Sequence, residues 1–365
     1  MNKSPASVRS ISPSSGSDYG YANARIRGMR SRMLHHSFFE QLLEASSTKD
    51  LVQSLLESEY ASSIEEVLIK GISAANIDGA LRNSMVRTYG KVTGFLNPEA
   101  GHIVSTLLGR WDVFNLKSLL RARHLGLEAE SLGAGVLPVG TLSVHDIDGL
   151  ARLEDVKALV DTVATWGLPF ASPLRDGFAS YVQTGELLGM ELSLDQYYAS
   201  WATQRLNKRG KNIQIGRAVL GAQMDVSNLV MALRLLQADI DVEDVESYFL
   251  PGGIEVDRAL YMDLAAKSDV DEVLERLKKI SYGRILDDVV MAYLEQNSIS
   301  VFERALEQAF VRRVVKLGRG DPLGAGVAIA YLWAKQNEVT NIRIIVKGKE
   351  VGMPLDRIRK ELILV

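Results

Sequence analysis

The chain has no cysteine. Disulfides, cysteine-ligated zinc, iron–sulfur clusters and thiol nucleophiles are excluded together. An oxidising compartment would have nothing to stabilise, so a cytoplasmic location is the simpler reading. Charge of one sign is also lacking: 42 Lys and Arg stand against 45 Asp and Glu, a net of −3. Proteins that neutralise nucleic-acid phosphates usually carry a basic excess, so no nucleic-acid partner is expected. Long apolar runs are missing too. The longest uncharged stretches, such as Ser131–Val144 and Gly324–Ala334, fall short of the ~20 apolar residues of a spanning helix and contain glycines. Residues 1–18 hold seven serines and two prolines but no apolar core. They form no signal peptide and cannot offset their own ordering entropy, so they read as a flexible tail.

Proline is scarce as well. Nine occur, leaving gaps at residues 14–97, 174–250 and 252–321. Those gaps are rich in Ala, Leu, Arg and Glu, all good helix formers, and period-two alternation is rare. The expected fold class is all-α. In Gly101–Leu125 one apolar stripe runs Ile103, Leu107, Trp111, Phe114 and a second Val113, Leu116, Leu120. Steps of three and four keep each stripe on one face, so this helix is buried on more than one side. Ser143 and Asp146 form a capping-box pattern ahead of Leu150 and Leu153. A length of 365 residues leaves room for two or three domains.

An internal repeat organises the chain. Asp112-Val-Phe-Asn115-Leu116 recurs as Asp225-Val-Ser-Asn228-Leu229 and again as Glu338-Val-Thr-Asn341-Ile342, each 113 residues after the last. The register persists: Leu120, Leu233 and Val346 correspond, as do Leu127, Ile240 and Met353, then Leu132, Val245 and Ile358, then Leu137, Leu250 and Ile363. The front halves match more loosely, through Asp50 to Tyr60, Asp155 to Trp166 and Glu272 to Tyr282. Three related helical units are expected, at 19–141, 142–254 and 255–365. Their period far exceeds that of a solenoid, so each can hold its own core. Asn is a mediocre mid-helix residue. Its recurrence at Asn115, Asn228 and Asn341 points to a local task, either a hydrogen bond locking neighbouring helices within each unit or a direct partner contact.

Motifs that carry chemistry are absent. The doublets Gly90-Lys91, Gly210-Lys211 and Gly348-Lys349 lack the flanks of a phosphate-binding loop. The cluster Gly318-Arg-Gly320-Asp-Pro-Leu-Gly324-Ala-Gly326 is spaced wrongly for a dinucleotide site and follows no strand. It reads as a loop before a helix, with Asp321 as N-cap and Pro322 at the first helical position. Five histidines occur: His35, His36, His102, His124 and His145. The His145-Asp146 doublet matches that of helical metal-dependent phosphohydrolases, but capping explains Asp146 more cheaply. The carboxylates Asp239, Asp241, Glu243 and Asp244 read as solvated surface. No catalytic, cofactor-binding or metal-ligating residue is assigned. The stretch Tyr21-Ala-Asn23-Ala-Arg25-Ile-Arg27-Gly-Met-Arg30-Ser-Arg32-Met33 places Ile26, Met29 and Met33 on one helix side with arginines around the rest. It is a solvated helix, a protein-docking helix, or a nucleic-acid or lipid contact; Arg pairs with carboxylates bidentately and is favoured at interfaces.

Two stretches resemble a known family. Tyr19-Gly-Tyr-Ala-Asn-Ala-Arg25-Ile-Arg27-Gly-Met is similar to the opening of the C subunits of the archaeal/vacuolar-type rotary ATPases, counterparts of the d subunit of the vacuolar proton pump. Asp321-Pro-Leu-Gly … Tyr331-Leu-Trp-Ala-Lys335-Gln-Asn-Glu338-Val-Thr-Asn341-Ile-Arg343-Ile-Ile … Gly348-Lys resembles the family's C-terminal signature, with Gln336-Asn337 where an acidic residue is expected. The resemblance spans 19–365. Its motif residues here are Tyr21, Asn23, Arg25, Arg27, Asn115, Asn228, Tyr331, Lys335, Glu338, Asn341 and Arg343. It implies three homologous helical subdomains in a pseudo-threefold funnel. It also implies a non-catalytic rotor part without cofactor, one copy per complex, peripheral on the cytoplasmic face of the membrane. That part is a socket joining the central-axle subunits to the proteolipid ring, with ATP turned over elsewhere. Ring-facing loops need apolar and small residues, which the connectors 133–141 and 250–254 have. A helical scaffold or adaptor unconnected with ATPases is the alternative from a different class, and a His145/Asp146 phosphohydrolase a third.

Overall fold

The computed structural model describes residues 19–129, 135–238 and 245–365, and these form eighteen α-helices, a short 3-10 turn at Glu246–Tyr248 and no strand. The all-α expectation holds. Residues 1–18, Leu132, Ile240 and the carboxylates Asp239, Asp241, Glu243 and Asp244 lie outside the described residues.

Three times a series of shorter helices leads into a long one. The first is α1 (Gly20–Arg30), α2 (His36–Glu44), α3 (Thr48–Leu56), α4 (Ala61–Lys70) and α5 (Ala74–Thr93), ending in α6 (Pro98–His124). The second is α7 (Val144–Ala151), α8 (Val156–Thr165), α9 (Ala171–Thr184) and α10 (Leu188–Arg205), ending in α11 (Lys211–Ala238). The third is α12 (Arg258–Ala265), α13 (Val270–Leu277), α14 (Ser281–Asp287), α15 (Val290–Gln296) and α16 (Ser300–Gly320), ending in α17 (Gly326–Glu350); the short α18 (Leu355–Glu361) follows.

The sequence starts these helices by side-chain capping. Ser47, Ser73, Asn97, Ser143, Asp155, Asp257 and Asp269 each accept the backbone N–H three residues on, worth about 1 kcal/mol apiece. Ser143 and Asp146 complete the capping box. One expected cap is wrong. Asp321 closes α16, and α17 begins only after Ala325. The carbonyls of Pro322 and Gly324 are taken by side chains of α1, and the Asp321 carboxylate pairs with Lys211 at 3.1 Å.

The long helices α6, α11 and α17 touch one another pairwise. They meet at positions one or two repeat intervals apart. Asn212 of α11 hydrogen-bonds Glu99 of α6 and the Ala325 amide before α17. Gly216 lies so close to Ile103 that an added Cβ would come within 2.6 Å of the Ile103 methyl. Arg110 donates to Gln336. The three helices therefore run side by side with their N-termini together. Each also packs on short helices that follow it, α6 on α7, α8 and α10, and α11 on α12 and α16. The third long helix, α17, packs instead on α1, α2, α3 and α5, early in the chain. The main apolar cluster spans these contacts, and a second joins the C-terminal half of α11 to α12–α16.

By length and composition α11 alone, among the described residues, could cross a membrane, which a search for uncharged runs passes over; 61% of its apolar window is buried inside the protein.

Candidate functional site

The three repeated asparagines make the same pair of bonds. Asn115 Nδ2 donates to the Leu137 carbonyl at 2.8 Å and its Oδ1 accepts the Leu137 amide at 2.6 Å. Asn228 does this with Leu250, at 2.8 and 2.9 Å, and Asn341 with Ile363, at 2.9 and 3.1 Å. Each amide side chain acts as a one-residue strand partner for the extended segment 22 residues on. The bond runs from helix to connector rather than between helices.

One turn earlier sits an acid. Asp112 accepts the amides of Thr141 and Leu142 and the Thr141 hydroxyl, all at 2.8–2.9 Å. Asp225 accepts the amides of Ile254, Glu255 and Val256. Burial pushes both carboxyls above the usual carboxylate range, against the pull of these donors. Gly140 and Gly253 make room, since a Cβ there would lie 2.2 and 2.4 Å from the respective carboxylate oxygens. These bonds tie each long helix to the chain that follows. The connector segments are held inward, with Leu137 and Val139 buried, and only Ile254 in the described parts of both connectors is a large exposed apolar side chain.

Glu338 occupies the third equivalent place and turns elsewhere. Its carboxylate accepts the Leu34 amide at 2.6 Å, the Tyr60 hydroxyl at 2.7 Å and Lys335 Nζ at 2.8 Å. Lys335 is also paired with Glu59 and lies 4.1 Å from the centre of the Tyr60 ring. Lys335, Glu338 and Tyr60 are all buried, where an ammonium is tolerated only when paired. Burial raises the Glu59 carboxyl, opposed by Lys335. Burial and then Glu338 raise the Tyr60 hydroxyl, and burial followed by Glu59 and Glu338 raises Tyr331. Arg343, farther along α17, pairs with Asp78 of α5, which also takes Arg82 at 3.1 Å.

The arginine-rich helix docks on its own chain. Asn23, buried, donates to the carbonyls of Pro322 and Gly324, and Arg27 to Pro322 at 2.7 Å. Tyr21 and Arg25 stay on the outer face, where Arg25 donates to the Tyr21 hydroxyl at 2.7 Å and covers the Phe95 ring. Tyr19 donates to Glu99 at 2.5 Å. The first motif thus holds the start of the last one, 299 residues away.

The comparison with known proteins covers both of these motifs. The sequence matches the ATP synthase (C/AC39) subunit family over residues 22–361. The chain belongs to that family. It is 28% identical to the A-type ATP synthase C subunit of Methanocaldococcus jannaschii, covering 94% of this chain and 86% of that protein. It is 29% identical to the V-type ATP synthase C subunit of Deinococcus radiodurans, covering 94% and 91%. The A-type ATP synthase C subunit of Methanothermobacter thermautotrophicus is 29% identical over 92% and 85%.

In this member of the ATP synthase (C/AC39) family eight of the eleven motif residues fall into three places, while Tyr21 and Arg25 lie on the outer face of α1 and Arg343 pairs with Asp78. Asn23 and Arg27 grip the loop at 322–324; Lys335 and Glu338, with Tyr331 beside them, form a buried ionic cluster; the asparagines pin two connectors and the segment after α18. Gln336 accepts from Arg110 and Asn337 donates to the Ile363 carbonyl at 2.6 Å, so both departures from the acidic pattern are bonded. Sequence reasoning missed Glu59, Tyr60, Glu99 and Asn212. The last two stand 113 residues apart, and the repeat register would have paired them. Asp146 hydrogen-bonds the Ser143 amide and hydroxyl, which hold its carboxyl below the usual range. Among the described residues no three His, Asp or Glu side chains gather as metal ligands would.

Proposed function

We propose that this chain is a non-catalytic central-stalk subunit of an A/V-type rotary ATPase: a socket that receives the foot of the central axle and seats it on the proteolipid ring. The observation that carries the reading is family membership across 22–361, with relatives named as subunits of A-type and V-type ATP synthases. In this reading the chain is one copy in a multi-subunit complex, peripheral on the cytoplasmic face, and ATP is made or hydrolysed on other subunits. Its units run 19–141, 142–254 and 255–365 around a pseudo-threefold funnel.

The mechanism is mechanical. A socket passes torque only if it resists twist, and close-packed interiors deform little. The pairwise contacts of α6, α11 and α17 and the bonds from α17 back to the start of the chain support such stiffness. Each joint needs an interface on the order of 1,200–2,000 Å². The test is to tag the chain in its native host, extract membranes in mild detergent and identify what co-purifies. A proteolipid ring, axle subunits and an ATP-hydrolysing head are expected. Recovery with unrelated proteins would replace this reading by a scaffold.

A further inference from the structure

A cavity of ≈ 580 Å³ lies between α1, α4, the second half of α5 and α17. Four cations stand around it: Arg25 and Arg32, on α1 and the turn after it, and Arg87 and Lys91 on α5. The buried Lys335 is a fifth. Among the described residues one carboxylate shares the wall, Glu59, and Lys335 holds it. Two more touch these cations, Glu338 at 2.8 Å from Lys335 and Glu66 at 3.8 Å from Arg87. Five positive charges therefore meet three negative ones. Arg25 and Arg32 bond neutral groups, the Tyr21 hydroxyl and the Gly28 carbonyl. Lys91 makes neither an ion pair nor a hydrogen bond among the described residues.

The hydroxyls on the wall are also unused. Tyr331 is buried, where a phenol usually finds a partner. Its hydroxyl nevertheless makes no hydrogen bond among the described residues, and neither do those of Ser62, Ser84 and Thr88. The shared architecture does not call for these groups. One and two repeat intervals before Tyr331 stand Ala218 and Ser105, and before Lys335 stand Ala222 and Gly109. The polar pair belongs to the third long helix alone.

We propose that this cavity binds an anion carrying two or more phosphate groups. Guanidinium forks match phosphate oxygens in pairs, and an ammonium adds a point charge. Free hydroxyls supply the remaining donors, with Tyr331 reaching the ligand from within the protein. An excess of two positive charges exceeds what one carboxylate could neutralise, and the volume is that of a small-molecule site. The phosphates belong either to a soluble compound or to a lipid headgroup. This site goes beyond the socket reading and stands or falls without it.

The test uses the full chain and inorganic tripolyphosphate at physiological salt. Calorimetry should find one site per chain, and saturation should raise Tm. K91Q should weaken binding about tenfold and Y331F about fivefold. Without ligand both should melt within about 1 °C of wild type, since neither group is bonded inside the chain. K208Q, which removes an exposed cation between α10 and α11, should change nothing. No measurable binding, an equal loss in K208Q, or full affinity in both K91Q and Y331F overturns the proposal. So does a short glutamate peptide that binds as tightly as tripolyphosphate, because the cavity would then seat an acidic protein segment. Sedimentation with phosphatidylcholine vesicles containing phosphatidylinositol phosphates separates the two sources. Capture by these vesicles that K91Q abolishes supports a headgroup; a chain that binds tripolyphosphate yet stays in the supernatant supports a soluble ligand.

Discussion

Asn212 donates to Glu99 at 3.0 Å and accepts the Ala325 amide at 2.9 Å, and each partner lies 113 residues from it. One side chain thus links equivalent positions at the starts of all three long helices. Removing it with Asn212→Ala should cost about 1–2 kcal/mol, read as a lower urea midpoint with unchanged slope. Asn212→Asp should cost more at neutral pH, because a second carboxylate would face Glu99, and the difference should narrow in acid.

The connector asparagines should differ in cost. Asn115→Ala leaves both the Leu137 amide and carbonyl without their partner, for a loss of about 2–3 kcal/mol. Asn341→Ala should cost less. Asn337 still donates to the Ile363 carbonyl, so only the amide is orphaned. Denaturant titration of the two variants ranks them.

Gly140→Ala and Gly253→Ala should each destabilise by about 2–3 kcal/mol. The new methyl would push Asp112 or Asp225 off the amides it holds, although neither glycine has positive φ. Combining Gly140→Ala with Asp112→Ala should give less than the sum of the two losses in a double-mutant cycle.

Stability should fall as pH rises through the weakly acid range. Burial gives Asp112 and Asp225 folded pKa values above those of the unfolded chain. The folded state then binds more protons between the ordinary Asp value, about 4, and the raised one, and stability is lost across that window as pH rises. Asp146, lowered by its Ser143 bonds, acts oppositely below the ordinary value. Tm measured against pH should show a shallower decline in Asp225→Asn than in wild type.

Asp146→Ala should remove the capping box of α7 at about 1 kcal/mol, whereas His145→Ala should leave Tm unchanged. Titration calorimetry with divalent metals should give the same absence of tight binding in both variants as in wild type. A stoichiometric site lost in His145→Ala would revive the phosphohydrolase reading.

The helical class was legible because proline and apolar spacing speak directly to local backbone. The 113-residue register was legible because Asp112, Asp225 and Glu338 head nearly identical words. What those residues touch was less so. The asparagines bond main-chain atoms of Leu137, Leu250 and Ile363, and a carbonyl or amide has no letter in the sequence. Glu99, Asn212 and Ala325 share a register but no chemistry, so a search by residue type passes over them. Asp321 and Pro322 look like a helix start by local rule, yet α1, some 300 residues earlier, claims the carbonyls around them. Tertiary contact there overrode a local signal.

Glu338 is where the molecule closes on itself. Two of its three seams are backed by continuous main chain, at 112–142 and 225–256. The third, where α17 meets the opening helices, has only side chains to fasten it, with Glu338 as the clasp on the Leu34 amide. The molecule is a circle in its bonding and a line in its covalent chain. Any spreading force finds that seam first, and hydrogen exchange at Leu34 reads whether the circle is shut.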